Sequence, residues 1–88
     1  MKLIIAIVRD IDSDTVSNAL ISHNFRVTGV ASTGGFLRRG KTTLLIGVED
    51  DQLEQAIQTI RESVSPAREP EERRLVIFVL KVDHFEHF

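Results

Sequence analysis

Between Ser32 and Thr43 the chain reads Ser-Thr-Gly-Gly-Phe-Leu-Arg-Arg-Gly-Lys-Thr-Thr, which places three cations, three glycines and one aromatic in a single connection. A guanidinium donates in a fork that matches phosphate, and an ammonium adds a compact charge. Glycines let a backbone approach a ligand closely, and successive amides such as those of Gly34 and Gly35 can form an anion-binding nest. The face of Phe36 can accept a flat ring. The segment therefore reads as a receptor for a nucleotide-like anion. A connection that only joins two strands needs none of Arg38, Arg39 and Lys41. Of the three, Arg39 is expected to face solvent.

The rest of the chain isolates this cluster. Net charge is −2, with acidic residues gathered in Asp10 to Asp14, Glu49 to Glu54 and Glu69 to Glu72. A basic island on an acidic protein suits a small anion better than a nucleic-acid polymer, whose binders usually carry a broad basic face. The chain has no cysteine, which excludes disulfides and thiolate metal sites. His84 and His87, beside Asp83 and Glu86, match no strong metal-ligand spacing and read as a fraying tail. No nucleophile stands at a recognisable spacing from a base, so neither catalytic residues nor an enzyme activity is expected. With 88 residues the expectation is one domain, 1–88. The apolar run from Met1 to Val8 stops too early at Arg9 and Asp10 for a secretory leader, and no stretch could span a bilayer. A cytoplasmic protein without membrane contact is expected.

The elements that must hold the basic loop follow from periodicity. Leu3 to Val8 is a continuous apolar, mostly β-branched run, the pattern of a buried strand. Asp12 or Ser13 can cap the following helix, whose inner stripe is Val16, Ala19, Leu20 and His23. Asn24 is expected to end that helix in a left-handed conformation. Arg26 to Ala31 forms a second strand, with Arg26, Thr28 and Val30 on one face and Val27, Gly29 and Ala31 on the other. Thr42 to Val48 forms the third strand, with Val30 and Leu44 able to pair. Asp50 or Asp51 caps a second helix with an apolar stripe of Leu53, Ala56, Ile57, Ile60 and Val64. Ser65 to Arg74 holds both prolines and reads as a solvated loop. Leu75 to Val82 is a last buried strand.

Strand, helix, strand, strand, helix, strand is the ferredoxin-like βαββαβ order, an α+β fold with a four-stranded antiparallel sheet and two helices on one face. The two most apolar strands, first and last, are expected side by side in the middle of the sheet. Both faces of the last strand are apolar, so the uncovered sheet face needs a partner. Other copies of the chain are the simplest cover, as a trimer with inward-facing sheets or as a dimer.

The chain resembles the PII-like cyclic-di-AMP receptor family of bacteria. The likeness runs through Met1 to Val8, Asn24-Phe25-Arg26, Thr33-Gly34-Gly35-Phe36-Leu37-Arg38, Gly40, Thr42-Thr43 and Gly47. It returns at Val79, Val82-Asp83 and the aromatic tail. The resemblance implies a PII-like homotrimer that signals by binding cyclic di-AMP in clefts between subunits and performs no catalysis. It implies ligand contacts from Asn24, Arg26, Thr28, Gly35, Phe36, Leu37 and Arg38, with close backbone approach at Gly47. In those roles Arg38 would grip phosphate and Phe36 would pack on adenine, while Asn24 and Thr28 would read its polar edges.

Three departures stand out. Lys41 replaces an asparagine of the family, adding charge and removing an acceptor, and it joins the candidate ligand residues. His87 replaces a glutamine. The family's long insertion before the last strand shrinks to Ser65–Arg74, which opens two other readings. One is a PII-like sensor of ATP, ADP or AMP. The other is a structural trimer that binds a partner protein. No cofactor beyond the nucleotide ligand is expected.

Overall fold

The computed structural model describes residues 1–33, 40–67, 70, 72–84 and 86, with only the backbone for 29–33. Strand β1 (Lys2–Arg9) leads directly into helix α1 (Asp10–Ser22). Strands β2 (Arg26–Thr33) and β3 (Lys41–Val48) form a hairpin, and helix α2 (Leu53–Ser63) and strand β4 (Leu75–Lys81) complete the order. The sheet is antiparallel with order β2-β3-β1-β4. This is the ferredoxin-like α+β arrangement expected from the sequence. One detail is corrected. β1 and β4 do pair, but β4 is an edge strand, and β1 and β3 hold the centre. A continuous apolar run is expected to mark burial on both faces; in β4 it instead belongs to an edge strand that leaves Phe78, Val79 and Leu80 exposed.

The core follows the alternation of the strands. Ile4, Ala6 and Val8 of β1 and Leu44, Ile46 and Val48 of β3 are buried against Val16 and Leu20 of α1 and Ala56 and Ile60 of α2. Leu53, Ile57 and Val64 complete the α2 stripe, partly buried against that cluster. His23 does not join the α1 stripe; it is exposed and its Nδ1 lies 2.9 Å from the Ala19 carbonyl. Asn24 adopts φ 67°, the left-handed turn expected of it, and Phe25 then enters the core.

The predicted caps are not the ones used. Helix α1 begins at Asp10 with Arg9 at the cap position, so Asp12 sits inside the first turn. A short 3₁₀ turn, Asp50–Gln52, precedes α2, and its capping box is formed by Glu49 and Gln52 rather than by Asp50 or Asp51. Asp50 instead pairs with the Met1 amine at 3.2 Å. No helix among the described residues is long and apolar enough to cross a membrane.

Candidate functional site

The register of the hairpin decides what the candidate residues can do together. Arg26 stands opposite Gly47, and Gly47 stands opposite Leu3 of β1, which stands opposite Leu80 of β4. These four form one row across the sheet face that carries no helix. The next row in from it runs through Leu45, Ile5 and Phe78, and the one after through Thr43, Ile7 and Val76. A Cβ placed on Gly47 would meet nothing within 4 Å, so the space above the strand is open beside the exposed Arg26. A guanidinium next to an unobstructed stretch of backbone suits a planar, anionic ligand.

A β-bulge between Val27 and Gly29 displaces Thr28 from the ladder. Its hydroxyl donates to the Leu45 carbonyl at 3.0 Å, which holds it at the exposed edge of the hairpin. The bulge also corrects the predicted faces of β2. Arg26 lies opposite Gly47 and Val30 opposite Leu44, residues on different faces of β3. The extra residue breaks strict alternation. The expected pairing of Val30 with Leu44 is present.

Asn24, in the turn just before β2, is exposed close to Arg26. Lys41 lies at the opposite end of the hairpin, facing Thr33 on β2 and Arg9 on β1. It lies six residue steps from Gly47 along β3, about 20 Å at ~3.3 Å per residue. The hairpin thus presents one group of Asn24, Arg26, Thr28 and Gly47, and Lys41 about 20 Å away. Gly34, Gly35, Phe36, Leu37, Arg38 and Arg39, in the connection between β2 and β3, lie outside the described residues, as does His87. His84 pairs with Glu86 at 2.9 Å. Among the described residues no group of three or more metal-ligating side chains could hold an ion.

A second polar centre, not foreseen as a unit, sits at the Lys41 end. The Arg9 side chain is 3% exposed. Its Nε and Nη2 donate to Asp12 Oδ2 at 3.1 and 2.9 Å. Nη1 donates to Glu72 Oε1 at 2.7 Å and to the Pro66 carbonyl at 3.3 Å. Nη2 also donates to the Ser65 carbonyl and hydroxyl at 2.6 and 2.9 Å. The Ser65 amide and hydroxyl donate to Asp12 Oδ1 at 3.1 and 2.6 Å. Burial opposes the charge of Asp12, yet the two Ser65 hydrogen bonds and the Arg9 guanidinium together hold its carboxyl below the ordinary carboxylate range. Asp10, also buried, accepts from the Thr42 hydroxyl, and its amide donates to the Gly40 carbonyl at 3.1 Å.

Lys41 Nζ donates to the Arg73 carbonyl at 2.9 Å. The stretch expected to be a solvated loop is therefore tied at Ser65, Pro66, Glu72 and Arg73 to the ends of β1 and β3. Beside it lies an open cleft of about 470 Å³ lined by Arg61, Val64, Glu72, Arg73, Arg74 and Leu75.

Comparison with known proteins identifies the class. Residues 1–70 match the model of the cyclic-di-AMP receptor family, and the chain belongs to that family. Its candidate ligand residues from Asn24 to Gly47 all fall inside the matched region. The fold is shared with a crystal structure of a functionally unknown protein from Pediococcus pentosaceus ATCC 25745. The two are 36% identical with a TM-score of 0.80, over 99% of this chain and 96% of that one.

Proposed function

We propose that the protein is a signal-transduction receptor that binds cyclic di-AMP in clefts between the subunits of a homotrimer. The observation that carries this is the position of Arg26 and Gly47. They lie on the uncovered sheet face, in the same row as Leu3 and Leu80, with open space above the glycine. A face that other copies cover in this reading thereby carries the first group of ligand residues at its margin. Phe78 and Leu80, exposed by 53% and 48%, extend that apolar surface to the free edge of β4 and supply the area for assembly.

In this reading Arg26 and Arg38 hold phosphates, Phe36 packs on an adenine, and Asn24 and Thr28 read its polar edge. Gly35, Leu37 and Gly47 let the ligand approach, and Lys41 takes the far end. The spread of these groups along about 20 Å of hairpin suits a dinucleotide better than a mononucleotide, which would reach only one end. The output is a change of surface transmitted to a partner protein, with no chemical step.

Thermal unfolding measured in parallel with cyclic di-AMP, cyclic di-GMP, ATP, ADP and AMP tests the reading. Ligand at about 100 times its dissociation constant adds about 2.7 kcal/mol per site. Stabilisation by cyclic di-AMP, largely lost in Arg38→Ala with the trimer intact, is expected. No shift with any nucleotide overturns the receptor assignment, and a shift with ATP, ADP or AMP alone replaces the ligand.

A further inference from the structure

We propose that Asp10 and Thr42 are positioning residues for the nucleotide site. Together they fix the direction in which the connection carrying Gly35, Phe36, Leu37 and Arg38 enters β3. The proposal rests on the cyclic-di-AMP reading and adds two buried residues to it.

The connection joins β2 to β3, and β3 begins at Lys41. Asp10, the first residue of α1, holds the chain on both sides of that point. The Asp10 amide donates to the Gly40 carbonyl at 3.1 Å, just before the strand. The Thr42 hydroxyl donates to Asp10 Oδ1, just inside it. The first bond continues the ladder of β1 and β3 one step past Arg9 and Lys41. It also gives a partner to a helix-terminal amide that has none within its own helix. The second bond has no such routine use. Helix α1 has no side-chain cap bond, and the carboxylate in its first turn accepts from a strand instead.

The fold alone does not ask for this pair. Thr42, Leu44, Ile46 and Val48 lie on the buried face of β3, each at most 3% exposed. A valine at the first of these positions would continue the apolar stripe. Asp10 is 6% exposed, and removing a carboxylate from water is costly even where it is hydrogen-bonded. A hydrogen bond inside the stripe defines one relative placement of the two elements it joins, where methyl groups in contact would accept several. That placement matters to a ligand. Backbone left free at the mouth of a binding loop has to be ordered when the ligand arrives, which lowers affinity. An exit already tied to the end of β1 and the start of α1 removes part of that cost for the ligand groups just before it in sequence.

Calorimetric titration with cyclic di-AMP, paired with urea unfolding of the same variants without ligand, separates positioning from stability. Thr42→Val deprives the buried Asp10 carboxylate of its hydroxyl donor. It should lower the unfolding midpoint and weaken binding about tenfold, as loss of order at one residue would. Adding Asp10→Ala removes both polar partners together, an exchange that is close to neutral for stability. The double variant should therefore regain most of the parent's midpoint and still bind about tenfold more weakly. Asp10→Ala alone, with the same tenfold loss expected, serves if Thr42→Val does not fold. Thr42→Ser and Asp10→Asn keep a hydroxyl and an oxygen acceptor, and should bind within about twofold of the parent. Ile60→Val, in the core under α2, should lower the midpoint and leave affinity unchanged. Affinity that recovers together with the midpoint in the double variant, or polar-pair variants that bind as tightly as the parent, overturn the proposal and leave the receptor reading standing. Absence of heat with the parent protein overturns the receptor reading itself, and this proposal with it.

Discussion

Arg9→Met should be among the most damaging single substitutions outside the apolar core. The guanidinium makes six hydrogen bonds, to Asp12, Ser65, Pro66 and Glu72. Methionine fills the stem's volume, so the cost comes from the partners left behind. Removing one member of a buried ion pair costs about 3–5 kcal/mol, because the other charge stays buried without compensation. Two features place the cost at the low end of that range. Asp12 keeps the Ser65 amide and hydroxyl, and the Glu72 side chain is 19% exposed and can regain water. A loss of about 3 kcal/mol is therefore expected. At 4–8 °C per kcal/mol for a domain of this size, that lowers Tm by about 12–24 °C. Urea unfolding followed by circular dichroism measures it. Both proteins must be compared at one protomer concentration, since the proposed assembly would add stability by mass action. Glu72→Gln, which removes only the part-exposed arm, should cost about 1 kcal/mol in the same assay. A loss below about 1 kcal/mol for Arg9→Met would mean that the network carries no net stability and that burial of these charges is merely tolerated.

The depressed pKa of Asp12 makes a pH prediction whose sign follows from linkage. A carboxylate titrating lower in the folded state than its unfolded value near 3.9 contributes stability above that value, lost as pH falls through the folded pKa. Acid unfolding below about pH 4 should therefore be less steep in Asp12→Asn than in the parent protein, checked by urea titrations at several pH values. Asn24→Ala should cost about 1 kcal/mol in the absence of ligand, because alanine resists φ 67°, whereas Asn24→Gly should unfold at nearly the parent's urea midpoint. Phe78→Asp, at the most exposed apolar position of β4, should convert the proposed trimer to monomers in light scattering without changing the far-ultraviolet spectrum.

Much of the fold was legible because it depends on periodicity. The 3.6-residue stripe of α2 and the alternation of β1 and β3 are set by which side chains meet the core, and those side chains are where the pattern places them. Errors arose where one residue changes the phase or where several features compete for one role. The bulge at Thr28 inserts one residue into β2 and sends Arg26 and Val30 to partners on different faces, and its one mark in the sequence is Gly29, since a glycine within a strand pattern often accompanies a bulge. Glu49, Asp50 and Asp51 all offer a side chain at the start of α2, and only the reach of Gln52 back to the Glu49 amide selects among them. The misplacement of β4 in the centre has a different origin. Continuous apolarity does not distinguish a central strand from an edge strand that leaves apolar side chains exposed, as β4 does.

The basic connection from Gly34 to Lys41 reads as a candidate ligand site because its residue types have no structural use between two strands. The Arg9 network was invisible for the converse reason. An arginine after an apolar run, an aspartate in a first turn and a serine before a proline each have an ordinary local explanation, as strand stop, helix cap and turn. Only the register of β1 against β3 and β4 brings Ser65 and Glu72, 56 and 63 residues away, to the same guanidinium. The same register sets Lys41 beside Arg9, so a strand end that looked like punctuation joins the candidate nucleotide loop to the segment before β4.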